Sequence, residues 1–124
     1  MKVLLVTEDA GWAYKHTRFL SERSIDHALV KTTADAMDIL SGLDNNFGTD
    51  IDHVIADAGT IGWQVIGRYV KDKIQFRLFD IADSKPDVID EARGLGYETV
   101  QLQSYDAEKL FEGVIQTGID VERQ

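Results

Sequence analysis

Short apolar runs alternate with amphipathic stretches from one end of this chain to the other, and that alternation restricts the fold more than any other feature. A strand covered by helices on both faces carries consecutive apolar residues rather than every second one. Strand–helix units repeated in this way build a parallel sheet between two helical layers. Val3–Val6 is such a run, and the pattern predicts further strands over Ala28–Lys31, Asp52–Asp57, Gln75–Asp80 and Thr99–Gln103. Between them, Trp12, His16, Phe19, Leu20 and Arg23 recur along one stripe of a helix over Gly11–Arg23. A second helix carries Ala36, Met37, Ile39 and Leu40 and stops near Gly42, with Thr32 or Thr33 as its cap. A third runs over Gly62–Lys71. A fourth starts near Pro86, capped by Asp83 or Ser84, and ends at Gly94 and Gly96. Asp106 caps a last helix reaching about Gln116. The turn-rich stretch 43–50, LDNNFGTD, reads as the most mobile loop. The expectation is one domain over 1–117 with a fraying tail over 118–124.

Composition removes several function classes. The chain has 124 residues and no cysteine, so a core can form without staples and thiolate chemistry is excluded. No segment approaches the roughly 18 consecutive apolar residues of a membrane span, and the opening MKVLLVTED has too short an apolar run for a signal peptide. A cytoplasmic protein is expected. The formal charge is −9, from 22 acidic and 13 basic residues. Such a surface repels phosphate backbones, so nucleic acid is not the expected partner. Phosphate-loop, nucleophile-elbow and dinucleotide glycine motifs are all missing.

In an open, doubly wound sheet, ligands sit beyond the carboxyl ends of the strands. There the first strand delivers Thr7, Glu8 and Asp9, the third Asp57, and the fourth Asp80, then Asp83 and Ser84. Clustered carboxylates of this kind suit Mg²⁺ or Mn²⁺; acids at strand ends also cap the helices that follow. Trp12, Thr60 and Trp63 follow the first and third strands and are placed at the rim of the same crevice. The tryptophans serve either as a stacking platform or as packing under helix ends. His16, His27 and His53 show no metal-ligand spacing and read as structural. Gln75, Arg77 and Phe79 share one face of the fourth strand, and Thr99, Gln101 and Gln103 one face of the fifth. That polarity marks a partly covered sheet edge, and Arg77, Gln101, Gln103 and Tyr105 are its candidate partner surface.

Together these segments resemble the receiver domain of two-component response regulators. KVLLVTED is similar to the receiver's first strand and acidic pair, VKTTADAMDIL to its second strand and helix, and DHVIAD to the strand that ends in the phosphoacceptor aspartate. EARGLGYETVQLQSYDAEKLFEGV resembles its closing helix, strand and helix. The resemblance implies a CheY-like (flavodoxin-like) α/β fold, a five-stranded parallel sheet of order 2-1-3-4-5 with helices on both faces. It implies Asp57 as phosphoacceptor, with Glu8, Asp9 and Asp57 holding Mg²⁺ and Thr7 as an alternative occupant of the first acidic position. The implied partner is a protein, either a histidine kinase or a downstream effector, and a homodimer is also compatible. Three switch positions depart from the pattern. Gln103 and Ser104 replace the usual lysine and proline, and Asp80 replaces the hydroxyl residue, unless Ser84 supplies it from the loop. Gln103 has no positive charge to pair with a phosphoryl group. An atypical or pseudo-receiver, more a binding module than an enzyme, is the resulting expectation.

A second resemblance is confined to ADAGTIGWQVIGRYVKDK, which is similar to the substrate loop of nucleoside deoxyribosyltransferases. Gln64 stands where their nucleophilic glutamate would be. The alternative function is therefore small-molecule or nucleotide binding.

Overall fold

The computed structural model describes residues 1–42 and 50–114. Its strands are β1 (Lys2–Val6), β2 (Asp26–Val30), β3 (His53–Asp57), β4 (Gln75–Ile81) and β5 (Glu98–Leu102). Its helices are α1 (Ala10–Glu22), α2 (Thr33–Leu40), α3 (Trp63–Val70), α4 (Pro86–Gly94) and α5 (Ala107–Leu110). All pairings are parallel, in the order β2-β1-β3-β4-β5. The expected fold class and strand order are thus the observed ones.

Burial explains why the apolar runs became inner strands. Val3, Leu4, Leu5 and Val6 have no exposed surface, and neither do Val54, Ile55 and Ala56. Consecutive side chains point to opposite faces, so each run feeds two cores. Leu4, Val6, Val54 and Ala56 join Ile39, Trp63, Ile66, Leu78 and Ile89 under α2, α3 and α4. Val3, Leu5 and Ile55 join Leu20, Phe79, Leu102, Leu110 and Phe111 under α1 and α5. Burying a side chain of this size contributes about 1.5–3 kcal/mol, which fixes strands and helices in one arrangement.

Two local expectations change. Neither Asp83 nor Ser84 caps α4: its N-cap is Lys85, with no side-chain cap bond. The Ser84 hydroxyl and the Lys85 amide instead donate to Asp80, at 2.7 and 2.9 Å. The regular part of α5 stops at Leu110. The chain then turns, and Gly113 takes a φ of +83° that favours glycine. The rest of the helix expected to Gln116, the tail, and 43–49 of the loop expected to be mobile lie outside the described residues.

One close approach sets the spacing between α3 and the sheet edge. A Cβ on Gly67 would stand 2.8 Å from the Tyr97 ring. That ring is held edge-on by Trp63 and Phe76, at centroid distances of 6.1 and 5.4 Å. Alanine normally favours a helix over glycine by about 1 kcal/mol, but overpacking costs about 1–3 kcal/mol. Gly67→Ala is therefore expected to destabilise the wild-type protein in urea unfolding. In a Tyr97→Ala background the same substitution is expected to stabilise it, and destabilisation in both backgrounds would remove this explanation.

Candidate functional site

The register of β1 against β3 pairs Val6 with Ala56, so the next residues on each strand, Thr7 and Asp57, emerge side by side. The Thr7 hydroxyl donates to Asp57 Oδ2 at 3.0 Å. Thr7 is buried, and its oxygen accepts from the Asp9 amide at 3.2 Å. The other carboxylate oxygen, Asp57 Oδ1, accepts from the Gly59 amide at 2.8 Å. The turn after β3 is completed by Thr60, whose N–H donates to the Asp57 carbonyl at 2.9 Å. Asp57 is half-buried at the carboxyl end of β3.

Burial pushes the Asp57 carboxyl above the usual carboxylate range, and the charges of Asp9 and Asp80 push the same way. The bonds from Gly59 and Thr7 oppose them. No cation is among the groups that act on it. Asp80, buried at the end of β4, has both oxygens occupied by Ser84 and Lys85. It organises the loop after β4, where Ala82 and Asp83 both adopt left-handed φ values of 62° and 53°.

The three acids expected to hold Mg²⁺ are not gathered into a ligand set. Asp9 is the N-cap of α1, its Oδ1 accepting from the Trp12 amide at 2.9 Å. Glu8 is exposed. The side chain facing Asp57 is neutral Thr7. Among the described residues, no group of three or more His, Asp or Glu side chains could hold a metal. The pocket does not fit a resident divalent cation, which needs charged oxygens converging on one point.

The expected rim also divides. Trp12 is half-buried and edge-on to Phe79 at 5.6 Å. Trp63 is buried in the core under α2, α3 and α4, and Thr60 is buried with its hydroxyl unpartnered, so neither lines an open rim. On the expected partner surface, the Arg77 guanidinium is bonded to Glu98 and to the Leu110 carbonyl. It fastens α5 to the sheet and is not presented to a partner. Gln101 accepts from Arg93 and donates to Asp83, at 3.0 and 3.2 Å; Gln103 is exposed. Gln64 donates to Glu91 across α3 and α4 at 2.9 Å.

Sequence reading missed a buried contact. His16 on α1 is buried, and its Nδ1 lies 2.5 Å from the Tyr105 hydroxyl. Burial pushes the Tyr105 hydroxyl up, with Asp106 adding to it, so the phenol stays protonated. The other ring nitrogen, Nε2, is buried without a hydrogen-bond partner. Only the helical stripe that placed His16 inward pointed to this contact.

Both titrating groups give a pH signature. Burial lowers His16 from the ordinary 6.5 to about 4, although Asp9 pulls the other way. Between those values the unfolded chain binds more protons, so stability falls as pH drops from about 6.5 to about 4, by roughly 3 kcal/mol from this group. His16→Gln is expected to flatten that slope in urea unfolding followed across the window; an unchanged slope would exclude His16 as its source. Asp57 works in the opposite sense. Its raised pKa makes its contribution favourable at low pH and lost as pH rises through the folded value. Asp57→Asn is expected to melt above wild type at pH 7, by a margin that narrows on acidification; a margin independent of pH would rule out charge as the cause.

No protein-family model matches the sequence, and no curated protein matches it. Solved structures do. An uncharacterized protein from Neptuniibacter caesariensis superposes with a TM-score of 0.73 at 18% identity, covering 97% of this chain and 87% of that one. A response regulator receiver domain protein from Clostridium thermocellum gives 0.72 at 15% identity, covering 98% and 96%. Full-length FixJ from B. japonicum gives 0.71 at 16% identity, covering 98% of this chain and 59% of FixJ. With the strand order and the aspartate at the end of β3, these superpositions establish that the chain has the fold of a response-regulator receiver domain.

Proposed function

We propose that this chain is a receiver-like signalling module that acts in the cytoplasm through a protein partner, a histidine kinase or a downstream effector. Asp57 is its candidate phosphoacceptor, in a site that has lost part of its switching chemistry. The observation that carries this reading is the position of Asp57: half-buried at the carboxyl end of the central strand, next to Thr7 and under the influence of Asp80.

Phosphorylation would add nearly two negative charges and three acceptor oxygens. Around Asp57 those charges meet Asp9 and Asp80, and the position of the usual lysine holds the uncharged Gln103. A phosphoryl group there is repelled where a working switch would bind it. Signalling therefore passes through surface contact, with Gln101, Gln103 and the Tyr105 segment at the edge nearest the pocket. No helix among the described residues is long and apolar enough to cross a membrane. The nucleotide-binding alternative is not favoured, because Gln64 is committed to a bond between helices.

Incubation with acetyl phosphate or beryllofluoride in Mg²⁺ tests this reading, with intact mass and amide NMR as readouts. The expected result is no lasting adduct and no shift at Gln101 or Gln103. Stoichiometric modification of Asp57 with shifts along β4 and β5 would make the chain a working phospho-switch. A melting point raised by a nucleotide in the absence of metal would instead favour the small-molecule alternative.

A further inference from the structure

We propose that the Thr7 hydroxyl and the Gly59 amide take over the positioning of the Asp57 carboxylate that a divalent cation performs in receiver domains, leaving a site that binds no Mg²⁺. The inference rests on reading the Asp57 pocket as a receiver site and deepens that reading.

The hydrogen bonds around Thr7 give it a fixed direction. A hydroxyl has one proton to donate. The Thr7 oxygen already accepts the Asp9 amide proton at 3.2 Å, and its own proton goes to Asp57 Oδ2 at 3.0 Å. Gly59 N–H occupies Asp57 Oδ1 at 2.8 Å. The carboxylate is thus held from both oxygens by donors belonging to the fold. Thr7 is 1% exposed, so the first of these bonds is shielded from water, where a hydrogen bond to a charged group is strong.

The same arrangement removes what a cation needs. The β1–β3 register places one side chain directly beside Asp57, and that side chain carries no charge. Asp9 Oδ1 is taken by the first turn of α1, and Glu8 is exposed. Asp80 is spent on the loop that follows it. A Mg²⁺ ion keeps much of its water and relies on the few carboxylates it does bind, so the loss of one facing acid is decisive. An acid at position 7 would set a second carboxylate directly beside Asp57 on the neighbouring strand.

The test uses the full chain with Mn²⁺ as a paramagnetic probe, read by water proton relaxation, and with thermal unfolding in millimolar Mg²⁺ against EDTA. Wild type is expected to show no relaxation enhancement and no change in Tm. Thr7→Asp is expected to acquire both, with a Tm rise in Mg²⁺ of about 2 °C or more, and Thr7→Asp combined with Asp57→Asn to lose them again. Thr7→Ser keeps the hydroxyl and is expected to stay indifferent to metal. Mn²⁺ binding by wild type that Mg²⁺ displaces overturns the inference, as does a folded Thr7→Asp protein no more responsive than wild type. If Thr7→Asp folds only in Mg²⁺, the inference stands; if it folds in neither condition, the wild-type Mn²⁺ measurement decides. Adduct formation at Asp57 with acetyl phosphate is a separate result that tests the signalling reading rather than the metal one.

Discussion

The pairing of β1 with β3 is the contact on which everything else is built. Both strands are inner strands of an all-parallel sheet, and Val3–Val6 and Val54–Ala56 are sealed from solvent on both faces. A backbone buried in this way must satisfy its polar groups within the ladder, and polar side chains are excluded until the strand ends. The first residues free to be polar are therefore Thr7 and Asp57. The register that seats Leu4 and Val6 in one core, and Val3 and Leu5 in the other, brings those two residues together. A slip of one residue would exchange the two core faces. The site is thus held in place by the whole hydrophobic interior rather than by its own bonds.

The fold and any chemistry at Asp57 rest on different contacts. Folding draws on many apolar contacts spread across five strands and two helical layers, and no single polar residue at the crevice is essential to them. Phosphoryl transfer draws on a handful of charges. Here Thr7 stands beside the acceptor and Gln103 carries no charge. Asp80 is turned to its own loop, where it accepts from Ser84 and Lys85 and helps hold Ala82 and Asp83 in left-handed geometry. Residues of this kind pay about 1–3 kcal/mol each in backbone strain. That loop is also tied to β5 through the bond from the Ala82 amide to the Leu102 carbonyl. The loop after β4 is thus satisfied by bonds within the fold.

The fold was legible in the sequence because it is encoded redundantly. The run Val3–Val6, the run ending at Asp57 and the stripe through His16 and Leu20 each point to the same layered sheet, so an error in one boundary does not change the topology. The site was less legible, because side-chain roles there turn on single bonds. Asp9 could have been a ligand or a cap, and only the bond from Trp12 shows it as a cap. Thr7 and Glu8 could have been exchanged in register, and the burial of Thr7 against Asp57 settles which one faces inward. Trp63 follows β3 much as Trp12 follows β1, yet the tight turn over Gly59–Gly62 sends it into the core. Arg77 looked like an exposed cation on a polar strand face; its partners, Glu98 and the Leu110 carbonyl, lie 21 and 33 residues away in sequence. No local pattern announces contacts of that range.

The α1–α5 side shows where such long-range contacts accumulate. Gln103 occupies the switch position closest to Tyr105, and the Tyr105 hydroxyl is bonded to buried His16. His16 is in turn edge-on to Phe79 and Phe111, and Phe111 stacks on Phe19 at 5.2 Å. Movement of the segment after β5 would have to break that bond and leave the buried imidazole without its Nδ1 partner. The segment after β5 is thereby fastened to α1 through an aromatic cluster. The long-range bonds of Tyr105 and Arg77 thus tie the segment after β5 and α5 back to α1 and the sheet, so this side of the domain is held by contacts that span most of the chain.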